Sequence, residues 1–162
     1  LYYWWQPSGR VNYGELIEGV TLPASKLDGA DGKPFDPEQL RGRWVFVTAD
    51  SGACDDYCKT KLWQMRQVRM TQGKYLERIE RLWLLDDAQA VAPALLKEHD
   101  GLWVAAAAGS ATLKALPFKQ TLRDHIYLVD PLGNVVLRYP KNADPSRMKK
   151  DLERLLKVSR IG

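Results

Sequence analysis

Short apolar runs and longer amphipathic stretches alternate along this chain. Residues 44–47, Trp-Val-Phe-Val, form a β-rich run of the length of a buried central strand. A loop containing Gly52 follows. Residues 55–72 then repeat apolar positions at helical spacing, with Leu62, Met65, Val68 and Trp63 on the side predicted to be buried. Gly73 ends or kinks this helix, and in the second case residues 75–79 continue it. Residues 82–85, Leu-Trp-Leu-Leu, predict a second buried strand, with Asp86 and Asp87 at its end. Pro93 opens a helix through Glu98, and Gly101 turns the chain into a run at 102–105. A short helix at 110–116 stops at Pro117. The last part reads as a strand at 126–129, a turn at 131–134 and a strand at 135–139. A final helix follows, capped by Asp144, with Pro145 at its first position and Met148, Leu152, Leu155 and Leu156 facing inward.

Strands that alternate with helices imply a parallel sheet covered on both faces, and the late hairpin adds antiparallel strands. A parallel half joined to a hairpin half, with a cysteine pair after an early strand, describes an α/β chain of thioredoxin-like fold: a central mixed sheet with flanking helices. Ahead of the first long strand, residues 22–40 are turn-rich, and Asp31-Gly32 is a hairpin signal. Residues 6–20 show no period. The organisation expected is a lead-in over residues 1–21 and one domain over 22–162, with no internal repeat.

Composition narrows the class. The chain has 162 residues, 45% apolar and 27% charged, as ordinary folded protein does. Its net charge of +4 (24 basic minus 20 acidic) is spread among acids, as in residues 74–81 and 147–157. That is a solvated surface. A nucleic-acid groove would need a basic stripe with interleaved aromatics, and none is present. No segment approaches the ~18 apolar residues that cross a bilayer. The chain begins at Leu1, and Tyr2, Tyr3, Trp4 and Trp5 stand together beside it. Such side chains favour the membrane–water interface. Residues 1–5 therefore read as the outer end of a transmembrane anchor; the alternative is that they pack on the domain surface.

The chemistry centres on Cys54-Asp55-Asp56-Tyr57-Cys58, which holds both cysteines of the chain where a strand gives way to a helix. Positions i and i+4 share a helix face. The two sulfurs could close a disulfide or clamp one metal ion. The positive end of a helix lowers a thiol pKa and favours the reactive thiolate, while Asp55 and Asp56 oppose it. Soft thiolates favour Cu(I). A static disulfide or two buried thiols would account for the pair without chemistry. The Asp55-Asp56 and Asp86-Asp87 pairs read as caps and turns, and no Gly-rich phosphate loop is present. His99, in the last turn of its helix, suits the helix dipole without a ligand role. His99 and His125 are too far apart for zinc-finger spacing.

At these residues the chain resembles the Sco (SenC) family of cytochrome oxidase assembly proteins, over about residues 22–157. The resemblance rests on Leu27-Asp28 with Asp31-Gly32-Lys33-Pro34-Phe35, on Leu40-Arg41-Gly42-Arg43-Trp44-Val45, and on the C-x-x-x-C pair followed by Leu62. It ends on Asp124-His125 and Tyr127-Leu128-Val129-Asp130-Pro131-Leu132-Gly133. The resemblance implies a domain on the periplasmic side of a membrane, tethered by one N-terminal helix. It also implies copper held by Cys54, Cys58 and a distant histidine, for which His125 is the candidate. The implied partner is the copper-bearing subunit of cytochrome c oxidase, served as copper donor or as reductant of its cysteines. The chain departs from the family pattern in carrying Asp55 and Lys59 where proline is usual. His125 also stands three residues later than the family's histidine, a shift that puts a side chain on the other face of a strand. Three functions therefore compete: copper delivery, thiol–disulfide reduction without a metal, and an assembly scaffold.

Overall fold

The long apolar run at residue 44 becomes the centre of the sheet. In the computed structural model, which describes residues 12–159, β4 (Trp44–Asp50) is buried at all seven positions. A strand covered on both faces reads as a continuous apolar run. Its side chains alternate: Val45, Val47 and Ala49 join one core cluster, and Trp44 and Phe46 join another. Around it lie β1 (Glu15–Leu16), β2 (Leu27–Gly29), β3 (Pro34–Phe35), β5 (Ile79–Leu85), β6 (Trp103–Ala106), β7 (Ile126–Val129) and β8 (Val135–Arg138). The sheet has eight strands in the order β1-β8-β7-β4-β5-β6-β2-β3. β4, β5 and β6 run parallel, and the other pairings are antiparallel. This is the mixed thioredoxin-like sheet that the order of elements predicts.

Helices α1 (Asp56–Met70) and α4 (Pro145–Val158) pack on one face, where Met65 and Val68 meet Met148, Leu152 and Leu156. The opposite face is closed by the turn-rich N-terminal residues Leu22, Leu27, Phe35 and Leu40 with Leu116, which follows α3 (Ala111–Ala115). α2 (Pro93–Glu98) connects β5 to β6. The Asp31-Gly32 signal is the β2–β3 turn, with Gly32 at φ +83° and Asp31 Oδ1 accepting from Lys33 N at 2.9 Å.

Three details refine the sequence reading. Trp63 is 47% exposed, because one helical step from Leu62 carries it out of the buried stripe. The first helix ends at Met70 and a 3-10 turn, Gly73–Arg78, follows, so of the two readings the helix stops near Gly73 and does not continue through residues 75–79. The lead-in is docked over its described part: β1 pairs with β8, and buried Asp151 accepts from Tyr13 N and Gly14 N, each at 2.9 Å. Asp151→Ala leaves both N–H groups without their acceptor, a loss of about 2–3 kcal/mol. Urea unfolding should show it as a lower midpoint. The aromatic run Tyr2–Trp5 lies outside the described residues. Among those described, no helix is long and apolar enough to cross a membrane.

Candidate functional site

Asp50 ends β4, and the next four residues turn back on themselves. Ser51 N donates to Asp50 Oδ1 at 2.8 Å, Ala53 N to Ser51 Oγ at 3.1 Å, and Cys54 N to the Ser51 carbonyl at 3.0 Å. Cys54 sits at φ +46°, in the left-handed region that costs a side-chain-bearing residue about 1 kcal/mol or more. Asp55 is the N-cap of α1, its carboxylate accepting from Cys58 N at 2.9 Å. Cys54 thus precedes the helix, and a tight left-handed turn, rather than a shared helix face, brings the sulfurs together. They form a disulfide with Cα atoms 5.0 Å apart.

The disulfide is covered. Cys54 is 2% exposed and Cys58 0%, and both pack with Leu62, Trp83, Leu85 and Val104. Half-buried Val91, Leu95, Leu96 and Leu102 complete this apolar shell. Because Asp55 takes one N–H of the first helical turn, that donor is not directed at a sulfur.

Charge gathers next to the cysteine loop. Lys61 Nζ lies 2.8 Å from Asp50 Oδ2, with side-chain exposures of 0% and 4%. It also donates to the carbonyls of Ala49 at 3.3 Å and Arg123 at 2.7 Å. Burial pulls the Lys61 pKa down, and the Asp50 carboxylate opposes that pull. Arg123 makes two 2.7 Å bonds to Asp86 and approaches Asp87 at 3.5 Å and Asp50 at 3.7 Å. Its hydrogen bonds to Asp86 push its own pKa up. Asp87 is held below the usual carboxylate range, first by a Ser51 hydrogen bond and then by the N–H groups of Gly52 and Gln89. The Asp86-Asp87 pair expected to cap a strand end therefore also anchors the turn at Arg123.

His125 is placed elsewhere. Its ring is buried, with Nδ1 2.8 Å from the Tyr139 carbonyl and Nε2 accepting from Lys119 N at 3.5 Å. This pattern puts the ring proton on Nδ1. The ring also meets Tyr127 edge-on, with centroids 5.7 Å apart. Among the described residues, no group of three or more His, Cys, Asp or Glu side chains could hold a metal ion. The structure thus joins Cys54 and Cys58, and it engages both ring nitrogens of His125 with the Tyr139 carbonyl and the Lys119 N–H. His99 is 2% exposed, and burial, with Arg66 nearby, lowers its pKa. That shift works against the charged ring that the dipole of α2 would favour.

A cysteine pair at the turn between the central strand and its following helix, within this mixed sheet, makes the molecule a thioredoxin-like protein. The family model described as "Transmembrane-like, thioredoxin-like, C-terminal domain" matches residues 44–159, and the chain belongs to that family. No curated protein sequence matches it. Among solved structures it is similar to yeast Sco1 with copper bound (TM-score 0.72, 18% identity, 88% of this chain and 96% of that one). It is also similar to apo Sco1 from Thermus thermophilus (TM-score 0.71, 18% identity, 89% and 96%). A putative protein disulfide isomerase from Bacteroides thetaiotaomicron shares the fold too (TM-score 0.63, 16% identity, 90% and 94%). At these identities the likeness is one of fold.

Proposed function

We propose that this chain is a Sco-like extracytoplasmic thiol protein. Its Cys54–Cys58 pair cycles between disulfide and dithiol to keep the copper-site cysteines of cytochrome c oxidase reduced during assembly. The observation that carries this reading is the pair itself: two sulfurs joined across one tight turn at the strand-to-helix junction, with no third ligand grouped with them among the described residues. Exchange needs only the two sulfurs. A dithiol form of this protein would pass two electrons and two protons to a partner disulfide and emerge oxidised. Mixing the reduced chain with the oxidised copper-bearing domain of the oxidase tests this. Two new thiols on the partner and two lost from this chain are expected; no transfer at equilibrium would remove the reading.

Copper as cargo is the second reading, supported by the fold shared with copper-bound Sco structures from yeast and Bradyrhizobium japonicum. Two thiolates suit Cu(I), a soft ion, whereas Cu(II) favours added nitrogen donors. His125 could join as a third ligand through Nε2 only by giving up the Lys119 N–H, while Nδ1 keeps the Tyr139 carbonyl. Anaerobic titration of the reduced protein against a competing chelator should give one Cu(I) per chain. His125→Ala should leave that affinity unchanged; a loss would place the ring at the metal. We further place the domain on the periplasmic face of a membrane, held by an N-terminal anchor. The support is the interfacial character of Tyr2 to Trp5 and the shared fold of a SCO1/SenC family lipoprotein from Bacillus anthracis.

A further inference from the structure

Thiol–disulfide exchange requires an attacking thiolate to reach a sulfur. With Cys54 2% exposed and Cys58 0%, neither sulfur is open to attack in this conformation. Three of the residues that pack against the disulfide's apolar cluster come from one stretch of chain. Val91, Leu95 and Leu96 all belong to the segment that leads into and forms α2, and all pack on the disulfide's apolar shell.

The start of that segment is pressed against the cysteine loop. A methyl group at Gly52 would fall on the Gln89 carbonyl oxygen. Asp87 Oδ1 accepts from Gly52 N and from Gln89 N, each at 3.1 Å, and so pins the two loops together. The rest is weakly held. α2 has 6 residues, its N-cap Ala92 supplies no side-chain hydrogen bond, and none of its residues is fully buried. Where the segment meets β5, several buried polar atoms have no hydrogen-bond partner among the described residues: Arg81 Nε and Nη1, Trp83 Nε1 and His99 Nδ1. Trp83 lies in the disulfide's shell, His99 caps α2, and Arg81 Nη2 donates to the Asp100 carbonyl at 2.7 Å.

We propose that residues 89–98 are a lid over the Cys54–Cys58 disulfide, and that lifting this lid limits how fast a thiol reaches the pair. In the open state an external thiolate attacks one sulfur, forming a mixed disulfide and expelling the other sulfur as a thiolate. The second thiol of a dithiol reductant then displaces the first. The chain ends as two thiols, which take the reductant's two protons, and the reductant ends as a disulfide. The proposal rests on the exchange reading above and not on any metal.

Reduction of the oxidised protein by dithiothreitol, stopped by alkylation and followed as thiols per chain, tests it. The rate should level off as dithiothreitol is raised, because opening then limits it. Gly52→Ala, which forces Gln89 away, and Leu96→Ala, which thins the cover, should each raise the plateau about tenfold or more. Leu96→Ala lies outside the cysteine loop and carries the test if Gly52→Ala fails to fold. Reduction that climbs without levelling to the rate of the urea-unfolded chain would overturn the lid alone, as would variants that reduce at the wild-type rate. Absence of reduction at any dithiothreitol concentration would overturn the lid and the exchange reading together.

Discussion

Lys61→Ala should destabilise the domain by about 3–5 kcal/mol, because it strands the Asp50 carboxylate in the interior. Asp50 and Lys61 form an ion pair with side-chain exposures of 4% and 0%. The pair is not a simple gain, since two charges are removed from water to make it. Removing one partner keeps the burial cost of the other and loses the attraction. Arg123, 3.7 Å from Asp50, is 46% exposed at its side chain and compensates only weakly. The double variant Asp50→Ala with Lys61→Met removes both charges and fills the space with apolar atoms, so it should recover most of the loss. A small domain has about 5–15 kcal/mol in total. Urea denaturation should thus show a large drop in midpoint for the single variant and a small one for the double. Equal losses in both would mean that packing, not charge, holds this corner.

Replacing Cys54 and Cys58 by serine should abolish both Cu(I) binding and thiol exchange. Copper then loses both thiolate donors, and no group of three or more His, Cys, Asp or Glu among the described residues replaces them. Stability should fall as well. Closing so short a loop contributes about 2 kcal/mol through the unfolded chain. Two hydroxyls in the apolar shell of Leu62, Trp83, Leu85 and Val104 would also need hydrogen-bond partners. Equilibrium unfolding with and without reductant separates these effects: reduced wild type loses only the cross-link, and the serine variant loses more. A serine variant as stable as the oxidised wild type would show the bond to be energetically idle.

The fold was legible where burial writes a period into the sequence. Residues 44–47 are apolar without a break because both faces of β4 are covered, and Met148, Leu152 and Leu156 fall at helical spacing because one face of α4 is buried. β1 was not legible: it has two residues, and it is held by pairing to β8 and by Asp151, far along the chain. At the site, the cysteine pair could be read from its spacing, but the reason for its closeness could not. Asp55 caps the helix, as its residue type suggests, but nothing in C-x-x-x-C tells that Cys54 takes a positive φ. The Asp50–Lys61 pair did leave a signal. Lys61 falls in the inward register of Met65 and Val68, and a lysine on a buried stripe demands a partner. The placement of His125 depends on the Tyr139 carbonyl across the β7–β8 hairpin, a contact that residue spacing alone does not encode.

The exchange proposed for Cys54 and Cys58 requires a working redox couple. Equilibrating the folded protein in a series of dithiothreitol buffers of graded potential, then trapping and counting free thiols, tests this directly. One reversible two-electron transition is expected, from no free thiols to two per chain, with the same midpoint approached from the oxidised and from the reduced side. A pair that stays a disulfide across the whole series while the protein remains folded, or two thiols that never close, would contradict it.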